Sequence, residues 1–200
     1  MQGVPRTTFA PLACSIDDCS AMASPPRTRF EGSVYRCVPD NGPFDPNELV
    51  DRDGSNDRWH RPGQPTVYLA LDPGVALAEV GRHLDPDAEP GSECHRLIQL
   101  DVSVPDIADL RDDGARTEIG VADITAFLDR ELAKGVAERL RSDGTHAGIL
   151  VPSAAFMDEP SRGNLVLFAE RLPEPMAELV RSWREIGRVE LEPGNGSTQP

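Results

Sequence analysis

The stretch RWHRPGQPTVYLA at residues 58–70, followed by ALAEV at residues 76–80, decides the fold of this chain. Its first half carries a Pro-Gly turn signal and its second half is rich in β-forming residues, so we predict a turn and then a strand over Thr66–Ala70. Asp72 and the Pro-Gly pair after it predict a helix start, because aspartate is a favoured N-cap and proline suits the first turn. We place this helix at residues 75–82.

The turn, strand and helix carry an arginine, an aromatic residue and a carboxylate, Arg58, Tyr68 and Glu79, towards one place. A guanidinium fork matches phosphate oxygens, and an aromatic face attracts a cationic ring. The combination predicts a charged, phosphate-bearing ligand such as a dinucleotide.

Other hydrophobic patterns predict the rest of the fold. We expect a helix at residues 121–141 with a solvated polar face, and further strands at residues 33–38, 94–102, 147–155 and 165–168. Strands and helices interspersed without regular βαβ spacing predict the α+β class: a single mixed domain with a small twisted sheet and flanking helices.

The length of 200 residues suits one domain with ragged ends. We divide the chain into a mobile N-terminal leader at residues 1–28, a domain at residues 29–174, and a C-terminal cover helix with a disordered tail at residues 175–200. The segment at residues 176–186 is alternatively an extended cover.

The chain has 34 acidic and 20 basic residues, for a net charge of -14. Its average field repels nucleic acid and anionic membranes, so an anionic ligand must be met by locally placed arginines. It lacks an apolar run of about 18 residues and a signal-peptide pattern, and we expect a soluble cytoplasmic protein. The four cysteines are irregularly spaced and Cys94-His95 has no second ligand pair, so we expect reduced thiols and no metal.

Several nucleotide and hydrolase motifs are absent from the sequence. Lys134 is the only lysine and no P-loop or Rossmann fingerprint is present, which excludes a P-loop nucleotidase. No G-x-S-x-G elbow surrounds Ser153, which argues against a Ser-His-Asp hydrolase.

Three blocks, in the order and at the separations of a known family, resemble the RES domain. The first is Val-Tyr-Arg at residues 34–36, and the second runs from the Arg-Trp pair to the glutamate over residues 58–79. The third is Val-Pro-Ser-Ala at residues 151–154, with Gly-Asn-Leu-Val behind it at residues 163–166. The resemblance covers residues 33–171, and the blocks are specific only in combination.

The resemblance implies a fold similar to ADP-ribosyltransferases and an enzyme that consumes NAD as its substrate, cleaving the nicotinamide-ribose bond without a prosthetic group. Members of the family commonly act as toxins paired with a helix-turn-helix antitoxin. Matching positions make Glu79 and Arg36 the candidate catalytic residues. The candidate NAD-binding residues are Arg36, Arg58, Tyr68, Ser153, Asn164 and His60.

In this interpretation the arginines hold the NAD phosphates, and Tyr68 stacks on the cationic nicotinamide ring. Glu79 stabilises the oxocarbenium character that develops on the ribose as the bond breaks. Ser153 bonds the carboxamide or a phosphate.

The chain departs from the family pattern beside these residues. Asp57 and His60 flank the Arg-Trp pair where the family usually has glycine and asparagine, and Cys37 stands where an aromatic often follows the first arginine. His60 replaces the asparagine as a hydrogen-bonding residue or is a loop histidine. Trp59 is expected to be a structural anchor that packs under the loop carrying Arg58, with stacking on the ligand as the alternative.

Each candidate side chain also has a purely structural interpretation. The arginines would pair with a nearby aspartate such as Asp40 or Asp57, and Tyr68 would be a core aromatic of its strand. Glu79 would lie at the surface edge of its helix, and Ser153 would bond its own turn.

The function has alternatives as well. Water or inorganic phosphate is the expected acceptor, and a related enzyme would transfer ADP-ribose to a protein. A non-catalytic module of the same fold would bind a ligand or partner without turnover.

Overall fold

The computed structural model describes residues 23–51, 57–81, 94–173 and 176–190. Most of the predicted leader, the cysteines at positions 14 and 19, residue 82 of the predicted helix and the C-terminal tail lie outside the described residues. Within these ranges the chain forms one mixed domain of strands and short helices.

Six strands build one sheet in the described part of the chain, in the order β1-β2-β5-β4-β3-β6. They are β1 (Arg27–Pro39), β2 (Thr66–Ala70), β3 (Cys94–Asp109), β4 (Gly148–Pro152), β5 (Gly163–Phe168) and β6 (Val180–Glu190). Because β1 also pairs with β3 along most of its length, the first five close into a barrel-like ring. The junction between β1 and β2 is the thinnest part of the ring, because only one described residue pair, Tyr35 with Ala70, joins these two strands.

Three α-helices surround the ring in the described ranges: α1 (Pro73–Gly81), α2 (Asp113–Glu118) and α3 (Arg130–Asp143). The predicted cap of α1 is confirmed, because the Asp72 carboxylate accepts the backbone N–H groups of Gly74 and Val75. No helix in the described ranges is both long enough and apolar enough to cross a bilayer.

Two apolar clusters explain why β4 and β5 are almost continuously apolar and wholly buried. Inside the ring, Val34, Ile98 and Leu165 pack together, while outside it Ile149 and Phe168 pack against α3. Each strand is therefore covered on both faces. Burying one such aliphatic or aromatic side chain contributes about 1.5–3 kcal/mol.

The helix predicted at residues 121–141 is wrong in its first half. Residues Ile124–Leu128 form a 3-10 turn, and α3 begins only at residue 130. The break occurs at Asp129, whose extended backbone lets its carboxylate accept the N–H groups of Glu131 and Leu132 as an N-cap.

The polar face of α3 is also not simply solvated. Lys134 and Arg141 are buried. Arg141 donates to Glu170 at 2.7 Å and to the Thr66 hydroxyl at 2.6 Å, and its guanidinium lies over the Phe168 ring. The periodicity of a helix does not reveal a charge whose partners come from distant strands.

The predicted C-terminal cover helix is wrong, and the extended alternative is correct. Residues Val180–Glu190 form β6, which pairs antiparallel with the first half of β3. Free edge positions on β3 provide the ladder partners that the sequence alone does not reveal. At the other end, the last two residues assigned to the leader already belong to β1.

Candidate functional site

A cleft of about 640 Å³ lies beside the thin β1–β2 junction, with walls from β1, β2, α1 and the start of α3. This volume is in the range of small-molecule sites, about 300–1,000 Å³. Among its lining residues are the predicted site residues Arg36, Arg58, Tyr68, Glu79 and Asn164. All three blocks that carry the family resemblance thus meet in one cleft.

The Glu79 carboxylate is held from across the cleft wall. Its Oε1 atom accepts a hydrogen bond from the Ser153 hydroxyl at 3.0 Å and from the Asn164 amide at 3.3 Å. Ser153 follows β4 and Asn164 lies on β5, while Glu79 lies on α1. These bonds fix the orientation of a half-buried carboxylate that lines the cleft.

Ser153 has the turn role considered from the sequence and, in addition, a bond to Glu79, while its bond to a ligand stays a prediction. Its oxygen accepts the N–H of Ala155 at 3.2 Å, as a turn serine does, and its hydroxyl proton is directed to Glu79. Ser153 is completely buried. In the described structure Ser153 therefore acts on the cleft indirectly, by its hydrogen bond to the Glu79 carboxylate.

The first turn of α1 is fastened to the β4–β5 connection that carries Ser153. The Arg162 guanidinium pairs with the capping carboxylate of Asp72 at 3.1 Å and lies over the Phe156 ring. Gly163 is the first residue of β5. Only glycine fits there, because a Cβ atom would stand 2.2 Å from the Val151 carbonyl oxygen. The close approach brings the two segments together and sets the position of Glu79.

Arg36 occupies the place where β1 and β2 separate. Its Nη1 donates to the Tyr68 carbonyl at 3.2 Å. Burial lowers the pKa of Arg36, opposed by the charges of Cys37, Asp57 and Asp51, yet arginine stays protonated in proteins. No ion pair among the described residues involves Arg36, so the cleft contains a poorly solvated cation suited to an anion.

Arg58 ties the loop before β2 to the 3-10 turn ahead of α3. Its Nη1 donates to the Phe127 carbonyl at 2.8 Å and the Leu128 carbonyl at 2.9 Å, acceptors that a helical turn leaves unsatisfied at its end. The Asp57 carboxylate accepts the backbone N–H of Arg58 at 2.7 Å. Asp40, the other partner considered, pairs with arginines of β3 and β6.

Tyr68 and Trp59 line the cleft and form a connected group with the buried His60 behind them. The Tyr68 hydroxyl accepts the Trp59 N–H at 3.2 Å and lies within hydrogen-bond distance of Nδ1 of His60, at 2.8 Å. Burial raises the pKa of Tyr68, which keeps the phenol protonated at neutral pH. His60 is completely buried and reaches the cleft through Tyr68. Trp59 is 2% exposed and lies edge-on to Phe127, as expected of a structural anchor, and it also lines the cleft.

Other lining residues were not proposed from the sequence as ligand-binding residues. Tyr35 precedes Arg36 on β1, and His95 opposes Pro39 in the β1–β3 register. The adjacency of Tyr35 to Arg36 was a usable signal, whereas the position of His95 depends on strand register. Arg130 also lines the cleft, but its place at the start of α3 was hidden by the wrong helix boundary. No group of three or more potential metal ligands occurs among the described residues.

Comparison with known proteins places this cleft in context. The family model described as the RES domain matches residues 33–190. The probable NAD(+) phosphorylase Rv3189 of Mycobacterium tuberculosis is 29% identical over 164 residues, which are 80% of this chain and 77% of that protein. Toxin Res of Pseudomonas putida is 28% identical over 124 residues, 62% of this chain and 77% of that one.

A solved structure also matches. The crystal structure of the M. tuberculosis MbcT-MbcA toxin-antitoxin complex gives a TM-score of 0.53 at 19% identity, covering 89% of this chain and 90% of that chain. At this identity the similarity concerns the fold.

Proposed function

This chain belongs to the RES domain family, and on that premise we propose that it cleaves the nicotinamide-ribose bond of NAD and acts as the toxin of a toxin-antitoxin pair. The observation that carries the proposal is the arrangement of one oriented carboxylate, Glu79, and two guanidinium groups, Arg36 and Arg58, around a single cleft. In a chain of net charge -14, two cleft arginines favour an anionic ligand locally.

NAD is the substrate in this proposal, and the chemistry needs no prosthetic group. Arg36 and Arg58 bind the diphosphate, and the ring of Tyr68 faces the cationic nicotinamide. His60 orients that ring through the phenol hydroxyl. The protonated phenol is a hydrogen-bonding group and takes no part as a base.

Glu79 acts at the reacting carbon. As the bond between the ribose C1′ and the pyridinium nitrogen breaks, its electron pair goes to the nitrogen and nicotinamide leaves uncharged. The positive charge then develops on the ribose, where a fixed carboxylate stabilises it. Ser153 and Asn164 orient the carboxylate in advance through their bonds to Oε1.

An oxygen of inorganic phosphate then forms the new bond to C1′ and gives ADP-ribose 1″-phosphate. Water would instead give ADP-ribose and release one proton. The similarity to a probable NAD(+) phosphorylase supports phosphate as the acceptor.

We extend the proposal to the fold type and the partner. A strongly curved sheet that leaves a cleft beside one glutamate-bearing helix is compatible with an ADP-ribosyltransferase-like fold. The structural match to a toxin-antitoxin complex supports an antitoxin partner. We expect this partner to be of the helix-turn-helix type and to cover the loop before β2 that carries Arg58. We expect this protein to be located in the cytoplasm.

The test is release of nicotinamide from NAD by the purified protein, with and without phosphate, beside Glu79→Gln. The substitution removes the negative charge but keeps the shape, and we expect turnover to fall on the order of 100-fold. Glu118→Gln, the same change on the exposed face of α2, is the matched control and should keep full turnover.

Phosphate dependence of wild-type turnover identifies the acceptor. No nicotinamide release under either condition would refute the NAD-cleaving function. Radiolabel from NAD that precipitates with a protein target would then indicate ADP-ribosyl transfer, and NAD binding without any release would indicate a binding module.

A further inference from the structure

We infer that Arg130, the first residue of α3, binds a phosphate group in the cleft beside Arg58, and that Arg58, in addition to its contact with the ligand, positions the corner from which Arg130 extends. The inference rests on the proposed function for the identity of the ligand. Arg130 lies outside the matching blocks that made Arg36 and Arg58 candidates.

The first observation is the isolation of the Arg130 side chain. Every other arginine in the described ranges has at least one polar, ring or electrostatic partner. Arg130 has none within the part of the chain that the structure describes. In a protein with 34 acidic residues, an unpaired guanidinium that lines the cleft is available for a ligand anion.

The second observation is the position of Arg130 on its helix. It is the first residue of α3, and a cation at that end opposes the helix dipole. The backbone N–H groups of the next two residues are already bonded to the Asp129 carboxylate, so the side chain and not the helix end would bind the anion. Arg130 is solvent-exposed, is unfavourable at this end of its helix and has no partner among the described residues, so its guanidinium is accessible to a ligand in the cleft that it lines.

The third observation concerns Arg58. Its Nη1 donates to the carbonyls of Phe127 and Leu128, which lie three and two residues before Arg130. These bonds hold the end of the 3-10 turn against the cleft wall. Arg58 therefore fixes the direction in which α3 starts, and with it the position of Arg130.

Two phosphate sources are compatible with this chemistry: the diphosphate of NAD and the inorganic phosphate that attacks the ribose. Kinetics separate them, because loss of a diphosphate contact raises the KM for NAD, whereas loss of the nucleophile site raises the KM for inorganic phosphate. Both arms use Arg130→Ala and Arg130→Lys.

We expect Arg130→Ala to raise one of these KM values roughly tenfold, as for the loss of one charge-assisted hydrogen bond. Arg130→Lys should restore part of the affinity because it keeps the charge. Arg61→Ala removes the same charge beside α3, where Arg61 pairs with Glu131 and Glu138 on the exposed face, and should leave both KM values unchanged.

Calorimetric binding of ADP-ribose and of inorganic phosphate tests Arg130 without turnover, so a failure of the proposed reaction does not hide the result. Weaker binding of either probe to Arg130→Ala than to Arg61→Ala supports the inference. Equal KM values and equal binding of both probes, or no binding of either probe to the wild type, would overturn it.

Discussion

Arginine is desolvated in two regions of this molecule with opposite results. Behind β5, Arg141 is 5% exposed and its guanidinium bonds Glu170, Thr66 and the carbonyl of Pro65. In the cleft, the described contact of the Arg36 guanidinium is a single carbonyl. The first arginine is satisfied by the protein and joins α3 to the sheet, whereas the second keeps donors that face the cleft. Burial alone therefore does not distinguish a structural from a ligand-binding arginine, but its set of partners does.

The largest expected effect is on the cleft side. Arg36→Ala should lower kcat/KM for NAD on the order of 100-fold, because the substrate loses a positioning contact near the reacting bond. The melting temperature should change little. Steady-state nicotinamide release and a thermal melt measure the two quantities. If Arg36→Ala lowered the melting temperature but left the turnover of the folded protein unchanged, Arg36 would be a structural residue like Arg141.

The next largest effect is expected at Arg141, where stability and not turnover should change. Arg141→Ala leaves the partly exposed Glu170 and the buried Thr66 hydroxyl without their partner, and the free energy of unfolding should fall by about 2 kcal/mol, below the range for a fully buried pair. The turnover of the folded fraction should equal that of the wild type. Urea unfolding combined with active-site-normalised kinetics checks both. Unchanged stability would show that the bonds to Glu170 and Thr66 contribute nothing net.

The smallest effect is expected for the phenol between the two regions. Tyr68→Phe removes the acceptor of the Trp59 N–H and the hydrogen bond between the phenol and His60, and should cost about 1 kcal/mol of stability, while the ring is kept. Since burial raises the pKa of Tyr68, the unfolded chain ionises first, so the wild type should lose stability as the pH rises above about 10.

Unfolding curves between neutral pH and pH 10.5 test this sign. The variant should lose less stability than the wild type over the alkaline part of the range, and its KM for NAD should stay within about twofold of the wild-type value, since the ring is kept. A steeper alkaline loss in the variant would contradict the argument.

Local sequence determined the elements whose signals lie within a few residues. The strand over Thr66–Ala70 and the Asp72 cap followed from turn and capping chemistry, and both are confirmed. The resemblance to the RES family, confirmed by the family match, brought in the residues that local patterns could not connect. Periodicity failed at Asp129, because a capping carboxylate ends one helical segment and begins another without interrupting the apolar spacing.

The sequence by itself determined which groups this protein has available: few cations, a glutamate on a helix behind a turn, and short strands rich in β-branched residues. Only the tertiary structure decided what each group contacts. Closure of five strands into a ring opens the cleft at the β1–β2 junction and places His60 behind Tyr68. Among the described residues it leaves Arg130 without a partner, while Arg141 has several. The physical reason is that hydrogen-bond partners and burial depend on groups far away along the chain, such as Thr66 for Arg141, 75 residues apart, and Asn164 for Glu79, 85 residues apart. Propensities that act over one turn contain no information about them.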